Sequence, residues 1–237
     1  MWEEYNKPKK ENRFLIRFYT KERLDQFLNS GRIWFPRADT FGDKMECVGI
    51  NDLKNTTVNL KNLESRKQRH LISCWHNSTK ESIAMWDTSF KRKEDQRVYA
   101  LRFQYQELID YVTKSDIDFG TKNNIVKRHY GRVVYKNLIG SRELDQNRMR
   151  RVAFRKESAF RYEQEFRFVF QSDSVFQERG YSLFIGDPSE LNYEILVNPL
   201  LEHDDYNKCL IDLRSNIVGR VKHKDSTLVK WLKPSQW

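Results

Sequence analysis

Glu163, Glu165 and Arg167 occupy alternate positions of the run Glu163-Gln-Glu-Phe-Arg-Phe-Val-Phe170, with Phe166, Phe168 and Phe170 between and after them. Period-two alternation predicts a half-buried strand. One face then carries three phenylalanines, and the other carries two carboxylates, a guanidinium and Val169. Alternate side chains sit about 6–7 Å apart along a strand, so the charged face should border solvent or line a cleft. A carboxylate in a cleft can hold a sugar hydroxyl and stabilise an oxocarbenium-like centre. A guanidinium can clamp a pyrophosphate through paired hydrogen bonds. Arg17, a cation inside the β-forming run Phe14–Tyr19, and Ser73, inside His70–His76, are candidate partners, with Lys156 just upstream. The plain alternative is an edge strand whose charges oppose aggregation, Arg167 pairing with the acids.

Positioning these residues requires several strands. Phe14–Tyr19 reads as the first, Thr20 as an N-cap, and Gly31 as the C′ residue of the helix between them. Ile33–Phe35 reads as a short strand, Arg37–Glu46 as a loop presenting Asp43 and Glu46, and residues 51–70 as an irregular polar excursion. His70–His76 returns as a strand. Ser78 and Glu81 have capping-box spacing for a helix through Phe90 that buries Ile83, Trp86 and Phe90. Arg97–Phe103 is a strand, Gln106–Thr113 a helix, 114–130 a charged connection, Gly131–Tyr135 a strand and 141–159 a basic helix. Tyr181–Ile185 and Tyr193–Val197 are strands, Cys209–Asn216 a helix, Val218–Lys222 a basic strand and Leu228–Leu232 a short closing segment. The expected class is α+β, with mixed, mostly antiparallel sheets and flanking helices. Residues 1–12 read as a polar tail and 13–237 as a single domain.

The chain has 237 residues and a net charge of +10, from 43 Lys and Arg against 33 Asp and Glu. Its 15 Phe, 11 Tyr and 6 Trp supply the bulk for a core despite an apolar fraction of only 38%. The positive balance favours an anionic partner, whether a nucleotide, nucleic acid or an acidic protein. An excess of charge that serves only solubility is the competing reading. Cys47, Cys74 and Cys209 have no CxxC spacing, so neither a disulfide framework nor a zinc knuckle is suggested. Cys74 and His76 share a strand face, but two ligands do not make a metal site. His203-Asp204-Asp205 reads as a polar loop. No apolar run has the length of a membrane span, and a cytoplasmic location follows by default. No glycine-rich phosphate loop, GxSxG or HExxH pattern occurs.

An ordered set of short motifs runs through the chain: Leu15–Thr20, Ser30–Phe35, Phe41–Glu46, Ser73-Cys-Trp-His76, Glu81–Trp86, Gly131–Tyr135, then Lys156 and Tyr162–Arg167. The set resembles a bacterial and phage family of domains of unknown function. Gly42-Asp-Lys-Met-Glu46 departs from that family's Asn-Asp-Pro-Phe-Glu and keeps only the two acids. Asp87–Lys91 departs from its tyrosine and glycine-containing strand. More loosely, Arg17, Ser73 and Glu163-Gln-Glu165 resemble the ordered site residues of mono-ADP-ribosyltransferases. That resemblance implies their fold, NAD as substrate, and a transferase or NAD glycohydrolase suited to a toxin or phage-conflict role. Arg17 would grip the pyrophosphate or adenylate ribose, and Ser73 would support the nicotinamide ribose. Glu165 would stabilise the developing positive charge, and Glu163 would orient or deprotonate the acceptor. Tyr19, Trp75 or Trp86 would stack on nicotinamide, with Lys156 and Arg167 completing the pocket. The same cleft without turnover would be a nucleotide or nucleic-acid binding module.

Overall fold

A computed structural model describes residues 1–6, 13–43, 46–48, 60–87, 98–115, 125–137, 152–216, 222–224 and 226–228. The strands among them are β1 (Trp2–Tyr5), β2 (Phe14–Tyr19), β3 (Arg32–Pro36), β4 (His70–Ser78), β5 (Tyr99–Gln104) and β6 (Ile125–Arg132). They continue with β7 (Val134–Lys136), β8 (Arg155–Glu157), β9 (Glu165–Ser172), β10 (Gly180–Phe184), β11 (Glu194–Val197) and β12 (Lys222–His223). The α-helices are α1 (Lys21–Ser30), α2 (Leu60–Lys67), α3 (Ile83–Trp86), α4 (Tyr105–Lys114) and α5 (His203–Asn216). The class is α+β with mixed, mostly antiparallel strands, as the sequence implies. The chain divides into two compact units interleaved in sequence. Unit 1 takes Met1–Lys9, Ile33–Trp75 and Asp116–Leu183; unit 2 takes Lys10–Arg32, His76–Ser115 and Phe184–Trp237.

In unit 1 the strand order is β1-β6-β9-β4, the last through its residues His70–Trp75. β9 is the alternating run, and Phe166, Phe168 and Phe170 are buried as that pattern demands. Trp2 meets Phe168 and Phe170 edge-on at 6.3 and 5.0 Å, and Phe35 meets Phe170 at 5.1 Å. Such rings bury large areas and prefer these tilted contacts. The opposite face of β9 carries Val169 into a second cluster with Ala38, Cys47, Ile72, Ala153 and Phe154. β1 pairs parallel with β6, Tyr5 facing Gly131. β6 pairs antiparallel with β9, His129 facing Val169 and Lys127 facing Gln171.

Four sequence expectations fail in this unit. Residues 2–5 form a strand in place of the expected tail, because Trp2 packs on the phenylalanine face and Tyr5 stacks on Phe154 at 5.0 Å. Part of the supposed excursion is α2. Part of the supposed connection is β6, which is held as a strand by pairing with β1 on one side and β9 on the other. The described part of the supposed basic helix is a 3₁₀ turn (Val152–Phe154), β8, and a second 3₁₀ segment, Ser158–Glu163. β8 forms because it pairs with β7, Tyr135 facing Lys156. The expectations for residues 141–151 and 51–59 lie outside the described residues.

In unit 2 the end of β4 pairs with β2, β2 with β5, β5 with β11 and β11 with β12. Thr20 and Gly31 bound α1 as expected, and the Gly31 N–H donates to the Phe27 carbonyl at 2.8 Å. The helix expected from the Ser78–Glu81 spacing is only the short α3, with Ile83 exposed; Phe90 lies outside the described residues. Glu81 is buried for a different reason. Its carboxylate accepts from Trp86 Nε1, Ser226 Oγ and Thr227 N and Oγ1 at 2.7–3.2 Å. His203-Asp204-Asp205 opens α5, where acids complement the helix dipole. Of the expected basic strand, Lys222 falls in β12 and Val218–Val221 lie outside the described residues, as does the closing segment apart from Leu228.

Gly131 holds β1 against β6. Its φ is +154°, and a Cβ there would come within 2.0 Å of the Tyr5 carbonyl oxygen. Backbone on both sides leaves little room to relax. Gly131→Ala should cost about 2–4 kcal/mol through strain and overpacking. Gly42→Ala, with nothing within 4 Å, should change stability by less than about 0.5 kcal/mol. Urea unfolding of the two variants checks both values.

Candidate functional site

The charged face of β9 does not border solvent at its start. Arg167 has 0% exposure, Glu165 7% and Glu46 2%. Arg167 Nε donates to Glu165 at 2.5 Å, and its two terminal nitrogens form a fork on Glu46 at 2.5 and 3.0 Å. Nη1 also donates to the Ala153 carbonyl at 2.7 Å. Lys156 Nζ donates to Glu165 at 2.8 Å and to Glu163 at 2.5 Å, and lies 4.6 Å from the centre of the Phe160 ring. The Tyr135 hydroxyl accepts from the Glu165 backbone N–H at 2.7 Å. Four separate stretches of chain therefore meet on two carboxylates and two cations. Removing one partner of so buried a set leaves an uncompensated charge, which typically costs about 3–5 kcal/mol.

Glu163 is the fifth member, and it is not on the strand. It ends the 3₁₀ segment, and Gln164 follows in the left-handed region with φ 43°. That turn brings Glu163 back toward Lys156. Its side chain is 18% exposed, the most accessible of the acids in the cluster. Burial, then the hydrogen bond and charge of Glu165, raise its carboxyl to about 8 against the pull of Lys156. Burial works against the charge of Glu165 also, but Arg167, Glu163 and Lys156 outweigh it and hold that group well below the usual carboxylate range. With Glu163 protonated, Glu46 and Glu165 balance Lys156 and Arg167, so the buried set is neutral. Cys74 lies against this cluster, its thiol held well up by burial and by Glu165. Burial and Glu46 push the Cys47 thiol up to about 12. Both thiols are thus poor nucleophiles.

Farther along the same face of β9, the strand does open. Val169 and Gln171 line a pocket of about 670 Å³ together with Tyr5, Ala153, Phe154, His70 and His129. Its rim carries Arg66, Arg69 and Lys127 against Glu3 and Asp173. The topology explains the convergence. β6 supplies Lys127 and His129 opposite Gln171 and Val169. β4 supplies His70, and the Arg69 carbonyl accepts from the Ser172 N–H at 3.0 Å on the other side of β9. His70 Nδ1 donates to the Arg66 carbonyl at 2.8 Å, because a carbonyl can only accept. His129 Nδ1 stands 3.6 Å from Glu3. Burial lowers both imidazoles. For His70 the hydrogen bond to the Arg66 carbonyl opposes burial while the charges of Arg66, His129 and Arg69 add to it, and for His129 Glu3 opposes while Lys127 adds.

The residues expected to form a NAD pocket are distributed differently. Glu163, Glu165, Lys156 and Arg167 come together, but Arg167 and both oxygens of Glu165 are engaged by one another, Lys156 and Glu46. Ser73 does not join them. Cys74 faces Glu165, so its neighbours in β4 project from the opposite side, and Ser73 Oγ accepts from Trp75 Nε1 at 3.0 Å. Trp75 and Trp86 are each 1% exposed, and neither offers a ring face for stacking. Arg17, Tyr19 and Trp86 belong to unit 2. There Arg17 lies over the Tyr19 ring at 5.5 Å, and Phe18 meets Trp86 edge-on at 4.7 Å. Sequence reasoning does not single out His70, His129, Arg66, Arg69 or Lys127. Ile125-Val-Lys-Arg-His-Tyr130 shows no period-two alternation, so no local signal places Lys127 and His129 on a shared strand face. Among the described residues no three His, Cys, Asp or Glu side chains are grouped to hold a metal, and no helix is long and apolar enough to cross a membrane.

No protein-family model matches the chain, and no curated protein or solved structure matches it.

The proton on Glu163 makes stability depend on pH with a fixed sign. Between the usual carboxylate value of 4.5 and about 8 the folded chain holds a proton that the unfolded chain has lost. Its contribution is therefore full at low pH and lost as pH rises through 8. The melting temperature of the wild type should fall between pH 6 and 9, and that of Glu163→Gln should fall less. Parallel thermal melts across that range check the difference.

Proposed function

We propose that unit 1 binds a nucleotide, free or within an RNA strand, in the pocket between β6, β9 and β4. The observation that carries this reading is the pairing of three rim cations with an aromatic and aliphatic wall in a chain of net charge +10. Arg66, Arg69 and Lys127 suit phosphate oxygens. Glu3 and Asp173 can accept ribose hydroxyls, and the half-buried Tyr5 and Val152 offer an apolar surface to a base. The size falls inside the usual range for small-molecule sites, about 300–1,000 Å³. Arg69 and Lys127 are exposed, so replacing them should spare the fold. Arg69→Ala with Lys127→Ala should weaken binding of ATP and of a short single-stranded RNA at least tenfold, with an unchanged melting temperature. Titration calorimetry at two salt concentrations checks it; binding indifferent to both the substitutions and salt would defeat the reading.

A second reading, ADP-ribosyl transfer from NAD, is favoured by Glu163. An accessible carboxyl poised near 8 beside Glu165 is suited to proton transfer with an acceptor. Glu165 would keep its electrostatic task while Glu163 takes the proton. Since a base must be ionised to act, nicotinamide release should rise with pH through about 8 and be abolished in Glu163→Gln. Chromatography of NAD incubations with and without RNA, DNA or lysate decides this; no release under any of these conditions counts against transfer.

A further inference from the structure

The pocket on β9 contains two imidazoles as well as its cations, and nucleotide binding alone gives them no task. We propose that this unit cleaves RNA, with His70 accepting the proton of a ribose 2′-hydroxyl and His129 protonating the leaving 5′-oxygen. The inference rests on the nucleotide-binding reading and adds turnover to it.

The placement supports a division of roles. β4 and β6 flank β9, so the two strands run about 9–10 Å apart; His129 faces Val169 while Arg69, next to His70, meets Ser172 farther along β9, and both histidines line the same pocket. That separation leaves room for a phosphate between the rings. His70 commits Nδ1–H to the Arg66 carbonyl, which fixes Nε2 as its proton-accepting nitrogen. Burial, helped by the charges of Arg66 and Arg69, disfavours the imidazolium and outweighs the hydrogen bond to the Arg66 carbonyl, which keeps this ring a base. His129 has the opposite neighbour: burial lowers its imidazole and Lys127 adds to that, while the Glu3 carboxylate, 3.6 Å from Nδ1, works the other way, toward the protonated form an acid needs. Arg69, Arg66 and Lys127 on the rim would face the non-bridging oxygens as charge accumulates on them.

The step balances without a co-reactant. His70 Nε2 takes the 2′-hydroxyl proton as the 2′-oxygen bonds to the adjacent phosphorus. The P–O5′ bond breaks, and its electron pair receives a proton from the His129 imidazolium. The products are a 2′,3′-cyclic phosphate and a 5′-hydroxyl end. Exchange with solvent then returns a proton to His129 and removes one from His70.

The test uses the full chain with three oligonucleotides of one sequence: RNA, its 2′-O-methyl analogue and DNA. Cleavage of the RNA alone, with cyclic phosphate ends seen by mass spectrometry, is the expected result. His70→Asn, whose side-chain amide can still donate to the Arg66 carbonyl, and His129→Asn should each slow cleavage at least 100-fold. Both should bind the 2′-O-methyl strand as tightly as the parent does. Intact RNA in the presence of 2′-O-methyl binding overturns the cleavage inference and leaves the binding reading standing. Failure of the parent to bind that strand overturns the cleavage inference, and failure to bind ATP as well overturns both. Cleavage undiminished in either variant, or DNA cut as readily as RNA, overturns the assignment; should a variant fail to fold, the comparison of the three strands with the parent still decides.

Discussion

A guanidinium with no exposure to water dictates how unit 1 is put together. Arg167 cannot shed its charge, so burying it demands acceptors from every direction in which its N–H groups point. Glu165 comes from its own strand, Glu46 from the segment after β3, and the Ala153 carbonyl from the turn before β8. Lys156 then neutralises the excess acid and reaches Glu163. Each stretch that answers Arg167 also supplies a wall of the neighbouring pocket or closes its cluster: Ala153 and Phe154 line it, and Cys47 follows Glu46 into the apolar group. Hydrophobic burial is non-directional and would tolerate small shifts of these segments. The fork on Glu46 does not.

Much of the architecture can be read directly. The phenylalanine alternation of β9, the capped helix between Thr20 and Gly31, and the strands from His70 and Tyr193 are local patterns, and local physics governs them. What alternation cannot tell is whether a polar face meets water. It points charged residues toward solvent or a cleft, whereas Arg167 finds Glu46 at a sequence separation of 121. No periodicity reports a contact that distant. β1 and β6 elude a reading of the sequence for a related reason: Trp2 and Tyr130 look like isolated aromatics among charges until a parallel pairing brings them to 6.2 Å.

The candidate sites follow the same division. The grouping of Glu163, Glu165, Lys156 and Arg167 is legible because they lie within a dozen residues. Their ranking is not. Glu165 stands in the strand and is saturated, while Glu163 sits outside it and keeps an accessible, proton-holding carboxyl. Ser73 fails for a matter of parity, since one step along β4 exchanges the face of Cys74 for that of Trp75. The histidines escape notice because nothing within either strand marks them. Their proximity is created by β9 lying between.

The left-handed turn at Gln164 places a carboxyl where the charges around it are already balanced, so the folded chain near neutral pH carries a proton its unfolded form does not keep. Unfolding at neutral pH must then release that proton to the medium. The heat absorbed includes the ionisation enthalpy of whatever buffer receives it, so calorimetric enthalpies from phosphate and from Tris report the same unfolding with different values.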